Sequence, residues 1–514
     1  MKKTVLLIAA LGCVATVNAA APGGERLDTL RTYALQNVQV VSTRAGKKTP
    51  VAYSDMSKSQ IRMMNQGKDM PWILNFTPSV TTSSDAGIGI GYTAIHVRGT
   101  DPTRINITAN GIPVNDAESG QLYWVNMADL ASSLESIQIQ RGVGTSTNGA
   151  GAFGATVNMQ TENISQNAYG RIDLSGGSYG THKETFSFST GLLGGHWGFQ
   201  GRLSNIGSDG FIDRASSKLN SYFLQGGYFA DNTVVKFITF NGTEKTYMAW
   251  DYASKADMEK YGRSYNPSGI YTDKNGNVAF YKNQTDNYHQ QNYQLLWNQR
   301  WSSNWNTNVA FHYTRGDGYY EQMKEDQKLY KYLMTTNTDL MANLVRQKKM
   351  LNDFYGFIAS ANYDNHNGLT ATIGGGWNKY DGDHFGKVLW SGSPKWSPSY
   401  LLEDGMQVYY NDGVIFNPDH EYYRNNAKKT DGNIYGKINY EFLPGLSAYV
   451  DLQYRHISYK MDGTSQEFDD DHNQRPLVLD RKYDFFNPKF GLVYNITPEH
   501  TVYASYAIAH KEPT

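Results

Sequence analysis

Leu446-Ser447-Ala448-Tyr449-Val450-Asp451-Leu452-Gln453 decides how this chain is read. Apolar side chains occupy every second position, with Ser447, Tyr449, Asp451 and Gln453 between them. A period of two with one apolar face is the signature of a β-strand. Working outward, the pattern recurs. Gly170, Ile172 and Leu174 alternate with Arg171, Asp173 and Ser175, and Trp197, Phe199, Gly201 and Leu203 alternate with Gln200, Arg202 and Ser204. From Tyr169 onward the theme repeats in runs of about 8–12 residues, long enough to cross a bilayer when tilted. By this pattern about 13 or 14 strands lie between Tyr169 and Thr514.

The joins between runs are of two kinds. Gly194-Gly195, Ala230-Asp231-Asn232, Asn365-His366-Asn367-Gly368, Pro444-Gly445 and Thr497-Pro498-Glu499 are tight. Long polar loops are expected from Gly242 to Gln290, Gly316 to Asn352, Asp381 to Asp431 and Asp462 to Tyr483. Short turns at one end and long loops at the other is the layout of a transmembrane β-barrel. Tyr503 to Ile508 still reads as strand, and an open edge at membrane depth is not viable. Closing strands are therefore expected beyond Thr514.

Composition agrees. The chain has 38 Tyr, 10 Trp and 50 Gly, with a mean hydropathy of -0.56. Tyr and Trp gather at the interfaces of membrane barrels. After the N-terminus no segment offers 18 consecutive apolar residues, so spanning helices are not expected. A net charge of -1 gives no basic face for nucleic acid.

Lys2 and Lys3 precede an apolar run from Val5 to Val17, and Val17-Asn18-Ala19 supplies a small-x-small cleavage pattern. Residues 1–19 read as a secretory signal. A lipoprotein site at Cys13 is the weaker alternative, because Ala10 and Leu11 fit a lipobox poorly. Cys13 is the single cysteine, so the exported chain would carry no disulfide. Residues 20–49 form a short polar leader, 50–162 a folded domain richer in Ile, Val and Met, and 163–514 the strand-rich region.

The folded domain carries the most specific blocks. They are Ile95-His96-Val97-Arg98-Gly99-Thr100, Ile105-Asn106-Ile107-Thr108-Ala109-Asn110-Gly111-Ile112-Pro113, Ile137-Gln138-Ile139-Gln140-Arg141-Gly142, and Gly149 to Met159. Asn110-Gly111 supplies hairpin chemistry. In order and spacing these blocks resemble the plug domain of TonB-dependent outer-membrane receptors. Leu35 to Ala45 resembles the TonB box and its sequel, with the coupling residues at Asn37, Val38, Gln39, Val40, Val41 and Ser42. The barrel segments Ser208 to Arg214, His312 to Glu321, Trp377 to Phe385 and Phe486 to Lys489 resemble receptors of the Bacteroidetes type.

The resemblance implies a mainly β fold: a transmembrane antiparallel β-barrel, closed with 22 strands in the family, holding an α+β plug in its lumen. It implies a Gram-negative outer-membrane location and TonB, with its inner-membrane energising complex, as partner. The cargo would be a scarce nutrient, foremost a ferric siderophore or another iron chelate. Plug residues matching Arg98 and Arg141 would face barrel carboxylates. No cofactor, metal or catalytic residue is implied. The leader is too short for the extra N-terminal domain of large glycan importers, which favours a simple siderophore-type receptor.

Other features carry less. Arg315-Gly316-Asp317 is a chance-level match at an expected strand end, and Asp469-Asp470-Asp471-His472 reads as a solvated acidic loop. Gly374-Gly375-Gly376 lacks the helix a phosphate cradle needs. No Ser/His/Asp grouping, paired-carboxylate site or zinc spacing stands out, so an enzyme is not expected. The rival readings are a secreted or surface β-rich binding protein without transport, separable by its solubility after export, and a truncated receptor remnant.

Overall fold

The computed structural model describes residues 44–513, apart from 47, 149–152, 274, 393–407, 410–414 and 417–419. The signal segment and Asn37 to Ser42 lie outside the described residues.

Seven strands belong to the inner domain: β1 (Ala52–Ser57), β2 (Val80–Ser84), β3 (Thr93–Val97), β4 (Ile105–Ala109), β5 (Ile112–Pro113), β6 (Leu134–Arg141) and β7 (Ala155–Thr161). Two short helices, α1 (Lys58–Met64) and α2 (Met70–Leu74), accompany them. A five-stranded sheet runs β1-β6-β7-β4-β5, with β4 and β7 parallel. Asn110 and Gly111 both take positive φ, +57° and +83°, and turn β4 into β5. The Ile95 block pairs with β2 rather than with the Ile105 block. Ile105, Ile107, Ile137, Ile139, Val157 and Met159 are all at most 2% exposed and form the centre of the core.

The wall follows: β8 (Ala168–Gly176), β9 (His182–Leu193), β10 (Trp197–Ser208), β11 (Ser217–Phe229) and β12 (Thr233–Tyr247). The loop after β12 holds helix α3 (Lys255–Tyr261) and the small hairpin β13 (Ile270–Thr272) with β14 (Val278–Phe280). Next come β15 (Thr285–Arg300), β16 (Trp305–Lys328), β17 (Met341–Asp364) and β18 (Leu369–Ser391). Strands β19 (Val408–Tyr409) and β20 (Ile415–Phe416) pair in the following loop. The wall ends with β21 (His420–Leu443), β22 (Leu446–Phe468), β23 (Gln474–Pro476), β24 (Leu479–Asn495) and β25 (Thr501–Ala507). These make a 14-stranded antiparallel sheet that meanders in chain order, with β23 beside β22 and β8 and β25 at its two ends.

This sheet is polar inside and apolar outside. Lys183, Thr185, Ser187 and Ser189 are buried on β9, whereas Phe186, Ile172, Leu174, Phe199, Leu203 and Phe237 are exposed. In water such a surface would be an aggregation liability; against lipid it is matched, with the polar alternates turned to the lumen. Trp197 packs on Tyr228 and Trp305 on Tyr363 along the rim of short turns, the position of an interfacial girdle. The tight joins all fall on that rim, together with the turn from Trp301 to Asn304.

The long strands correct the loop reading. β16, β17 and β21 are each 24 residues, roughly 80 Å when extended, whereas a crossing needs about 9–11. The ends of each polar stretch expected to be loop, and most of 316–352, continue the strand ladder beyond the bilayer. There the outward face meets water and needs no apolar residues, so hydropathy cannot tell strand from loop. Arg315-Gly316-Asp317 accordingly lies within β16, paired with Gln291, Gln290 and His289.

Candidate functional site

Among the described residues many contacts hold the plug in the wall, and three groups of them stand at different heights. Nearest the short-turn rim, the Lys48 ammonium meets Glu441 at 2.8 Å, two residues from the end of β21. The chain therefore comes into the plug from the short-turn side. A short 3₁₀ turn, Ser146–Asn148, docks on β22 and β24. Ser146 N–H donates to Asp451 at 2.8 Å, and Lys489 donates to the Ser146 hydroxyl at 2.8 Å.

The second contact is a buried ion cluster. Asp129 sits in a left-handed turn, φ +51°, that carries its side chain out of the plug. Its carboxylate lies 2.6 Å from Lys183 of β9 and 2.8 Å from Arg202 of β10, with all three side chains at most 3% exposed. Thr185 and Ser204 of the wall and Ser132 of the plug donate to the same carboxylate. Burial alone would raise this acid, but the Arg202 and Lys183 charges outweigh it and hold it well below the ordinary carboxylate range.

The third contact is a loop far from the short-turn rim, Asn115 to Gln121. Asn115 ties it down, donating to the Ile105 and Gly120 carbonyls at 2.9 and 3.0 Å and accepting from Ile107 N–H. Asp116 accepts from Ser119 N–H at 2.7 Å. So braced, Glu118 reaches across to the wall, where Tyr380 and His384 of β18 each lie 2.6 Å away. Burial raises the Glu118 carboxyl, and the His384 and Tyr380 hydrogen bonds more than reverse it. Lys429 of β21 donates to the Ala117 carbonyl at 2.7 Å. Behind the loop lies a cavity of about 130 Å³, lined among others by Asn106, Asp116, Asn378, Tyr380, Lys429 and Arg455.

Arg98 and Arg141 are placed differently from the expectation. Arg98 is exposed in a tight turn with φ +53°. Arg141 is buried, but it donates to the Pro78 carbonyl at 3.0 Å and to the Ser54 hydroxyl at 2.8 Å, both within the plug. Among the described residues neither forms an ion pair with a wall carboxylate. At the Asp129 cluster the polarity runs the other way: the plug offers the acid and the wall the cations. Lys183 and Arg202 stand on the polar face of their alternating strands, so an inward position was legible. Nothing in the order of residues marks Asp129, Glu118, Tyr380 or His384 as their counterparts.

The comparisons agree with this geometry. Residues 45–156 match the TonB-dependent Receptor Plug Domain, and residues 228–514, more than half the chain, match the TonB dependent receptor-like beta-barrel. The ferrienterobactin receptor of Escherichia coli K12 is 25% identical over 294 residues, spanning 51% of this chain and 38% of that protein. Among solved structures, the ferric-catecholate import receptor Fiu of E. coli K12 in its open form aligns with a TM-score of 0.65 at 13% identity, over 91% of this chain and 71% of that one. The unliganded ferric citrate transporter FecA gives 0.66 at 14% identity, over 89% and 62%. At these identities the structural likeness is one of fold. The chain thus spans well under half the length of the curated relative it matches. It belongs to the TonB-dependent receptor family of the Gram-negative outer membrane.

Proposed function

We propose that this chain is the plug and part of the wall of an energised importer, whose cargo is an iron chelate such as a ferric siderophore. The carrying observation is the plug's vertical arrangement. Its N-terminal attachment at Lys48 sits by the short turns, its Glu118 loop sits far up the wall, and the Asp129 ion cluster lies between. A pull on the leader, taken to be residues 20–49, would act on the plug from the periplasmic side, through Asn37 to Ser42 and a TonB partner with its inner-membrane energising complex. The plug is taken as 50–162 and the wall as 163–514. Energy arrives through that partner, so the chain carries no catalysis of its own. The names of the matched receptors, for ferrienterobactin, ferric catecholates and ferric citrate, support iron chelates as cargo.

The test is radio-iron uptake from supplied chelates by cells that produce the natural full-length protein and lack other iron receptors. Uptake that stops when the proton gradient is collapsed supports the reading. Growth and uptake indifferent to the protein, or to the gradient, would overturn it.

A further inference from the structure

Above the Glu118 loop three cations share one patch of the lumen face. Lys324 of β16 and Arg346 and Lys348 of β17 share the lumen-facing alternation of Gln322 and Tyr320, with Tyr320 paired to Lys348 and Gln322 to Arg346. Arg346 donates to Gln322 at 3.0 Å and to the Tyr332 hydroxyl at 3.2 Å. Lys348 lies 5.8 Å from the centre of the Tyr320 ring. All three cations are half-buried, and among the described residues none forms an ion pair. The nearest opposing charges, Asp251 for Lys324 and Glu467 for Lys348, act only at a distance. Three clustered cations without an ion pair carry a standing electrostatic cost that an anion would relieve.

Aromatic rings frame the cluster. Tyr332 packs on Tyr422 at 4.8 Å and Tyr422 on Tyr423 at 5.1 Å. Trp250 stands edge-on to Tyr320 at 5.8 Å and to the plug's Tyr92 at 5.2 Å, linking the cluster to the plug. Gly386 lies opposite Lys348 on β18 and opposite Tyr423 on β21. A Cβ at Gly386 would run into the Tyr422 and Tyr423 rings, so the glycine is what lets them lie there. Gly386 is two residues beyond His384, which holds Glu118, so the cluster sits one step above the loop.

We infer that Lys324, Arg346 and Lys348, framed by Tyr320, Tyr332 and Tyr423, form the recognition site for a multiply anionic chelate with flat aromatic donor groups. The inference rests on the import reading and sharpens its substrate class. Cations supply charge pairing and rings supply stacking area; a neutral chelate would use only the second.

The experiment is equilibrium binding to the natural full-length protein purified in detergent, read by tryptophan quenching. The probes are an anionic iron(III) tris-catecholate and a neutral iron(III) tris-hydroxamate of similar size. The combined variant K324Q/R346Q/K348Q is expected to weaken tris-catecholate binding about 30-fold or more and to flatten its salt dependence. Lys349→Gln and Arg424→Gln, which stack on Phe385 from the opposite face of the wall, are expected to bind like the parent. Heat-modifiable gel mobility checks that every variant is folded, and the charge reversal K324E/K348E serves if the triple variant is not. Equal affinity for the neutral chelate, unchanged binding in the folded triple or reversal variant, or no saturable binding of the tris-catecholate would each overturn the inference. Gradient-dependent uptake decides the import reading separately, so the two can fail apart.

Discussion

The Asp129 carboxylate of the plug lies 2.6 Å from the Lys183 ammonium of the wall, and neither side chain meets solvent appreciably. Together with Arg202 it makes a buried ion cluster that joins plug and wall. Burying three charges is costly, and attraction repays it only while all partners are present. The contact is therefore stable when complete and fragile when one member leaves.

Asp129→Ala should weaken plug docking by about 3–5 kcal/mol, because it strands Lys183 and Arg202 without a counter-charge. Limited proteolysis and hydrogen exchange across Leu134–Arg141 read the change. A triple replacement, D129L/K183M/R202M, should recover most of the loss. Protection equal to the parent in Asp129→Ala would show that the cluster does not hold the plug.

The same acid sets a pH dependence of known sign. Its folded-state pKa is depressed, so the stabilisation is complete above the unfolded value of about 3.9 and fades as pH falls below it. The share of plug protection that Asp129 supplies should be constant from about pH 5 to 7 and decline under about pH 4, and Asp129→Asn should remove that decline.

Asp69 has the opposite sign. Burial pushes it up to about 8, against hydrogen bonds from Thr93 and the Gly91 N–H. The folded plug keeps this proton, so its ionisation costs stability that grows from about pH 4 to about pH 8. Asp69→Asn should flatten that slope locally, as read by hydrogen exchange in the Val80–Val97 hairpin.

Gly242 on β12 seats the plug. A Cβ there would collide with the Asn126 carbonyl in the turn Trp124–Met127. Gly242→Ala should lift that turn at a cost of about 1–3 kcal/mol. Faster cleavage after Trp124 checks it, while wall insertion should be unchanged.

Glu118→Gln keeps a hydrogen-bonding side chain but loses the charge paired with His384. Exchange across Pro113–Gln121 should rise about tenfold, consistent with about 1–2 kcal/mol for a charge-assisted bond.

Much of the fold was legible because a membrane barrel repeats one rule. Leu446 to Gln453, or Trp197 to Leu203, declare strand and face in a few residues, and Asn110-Gly111 declares its turn. Strand length was not legible: above the bilayer, β16 and β17 pair polar side with polar side, as Gln322 does with Arg346. The docking residues were half legible. Alternation marked Arg202 as polar-facing, but its partner is a single acid 73 positions earlier, held outward by one left-handed turn. Arg141 misleads for the same reason: its charge is plain in the sequence, whereas its Pro78 and Ser54 partners arise only from how β1 and β2 fold back.

The most direct test of the account is to delete residues 37–42 in the natural full-length protein and measure chelate binding and radio-iron uptake in the same cells. Energised import through the leader predicts unchanged binding with uptake reduced to background. Uptake at the parental rate would contradict it.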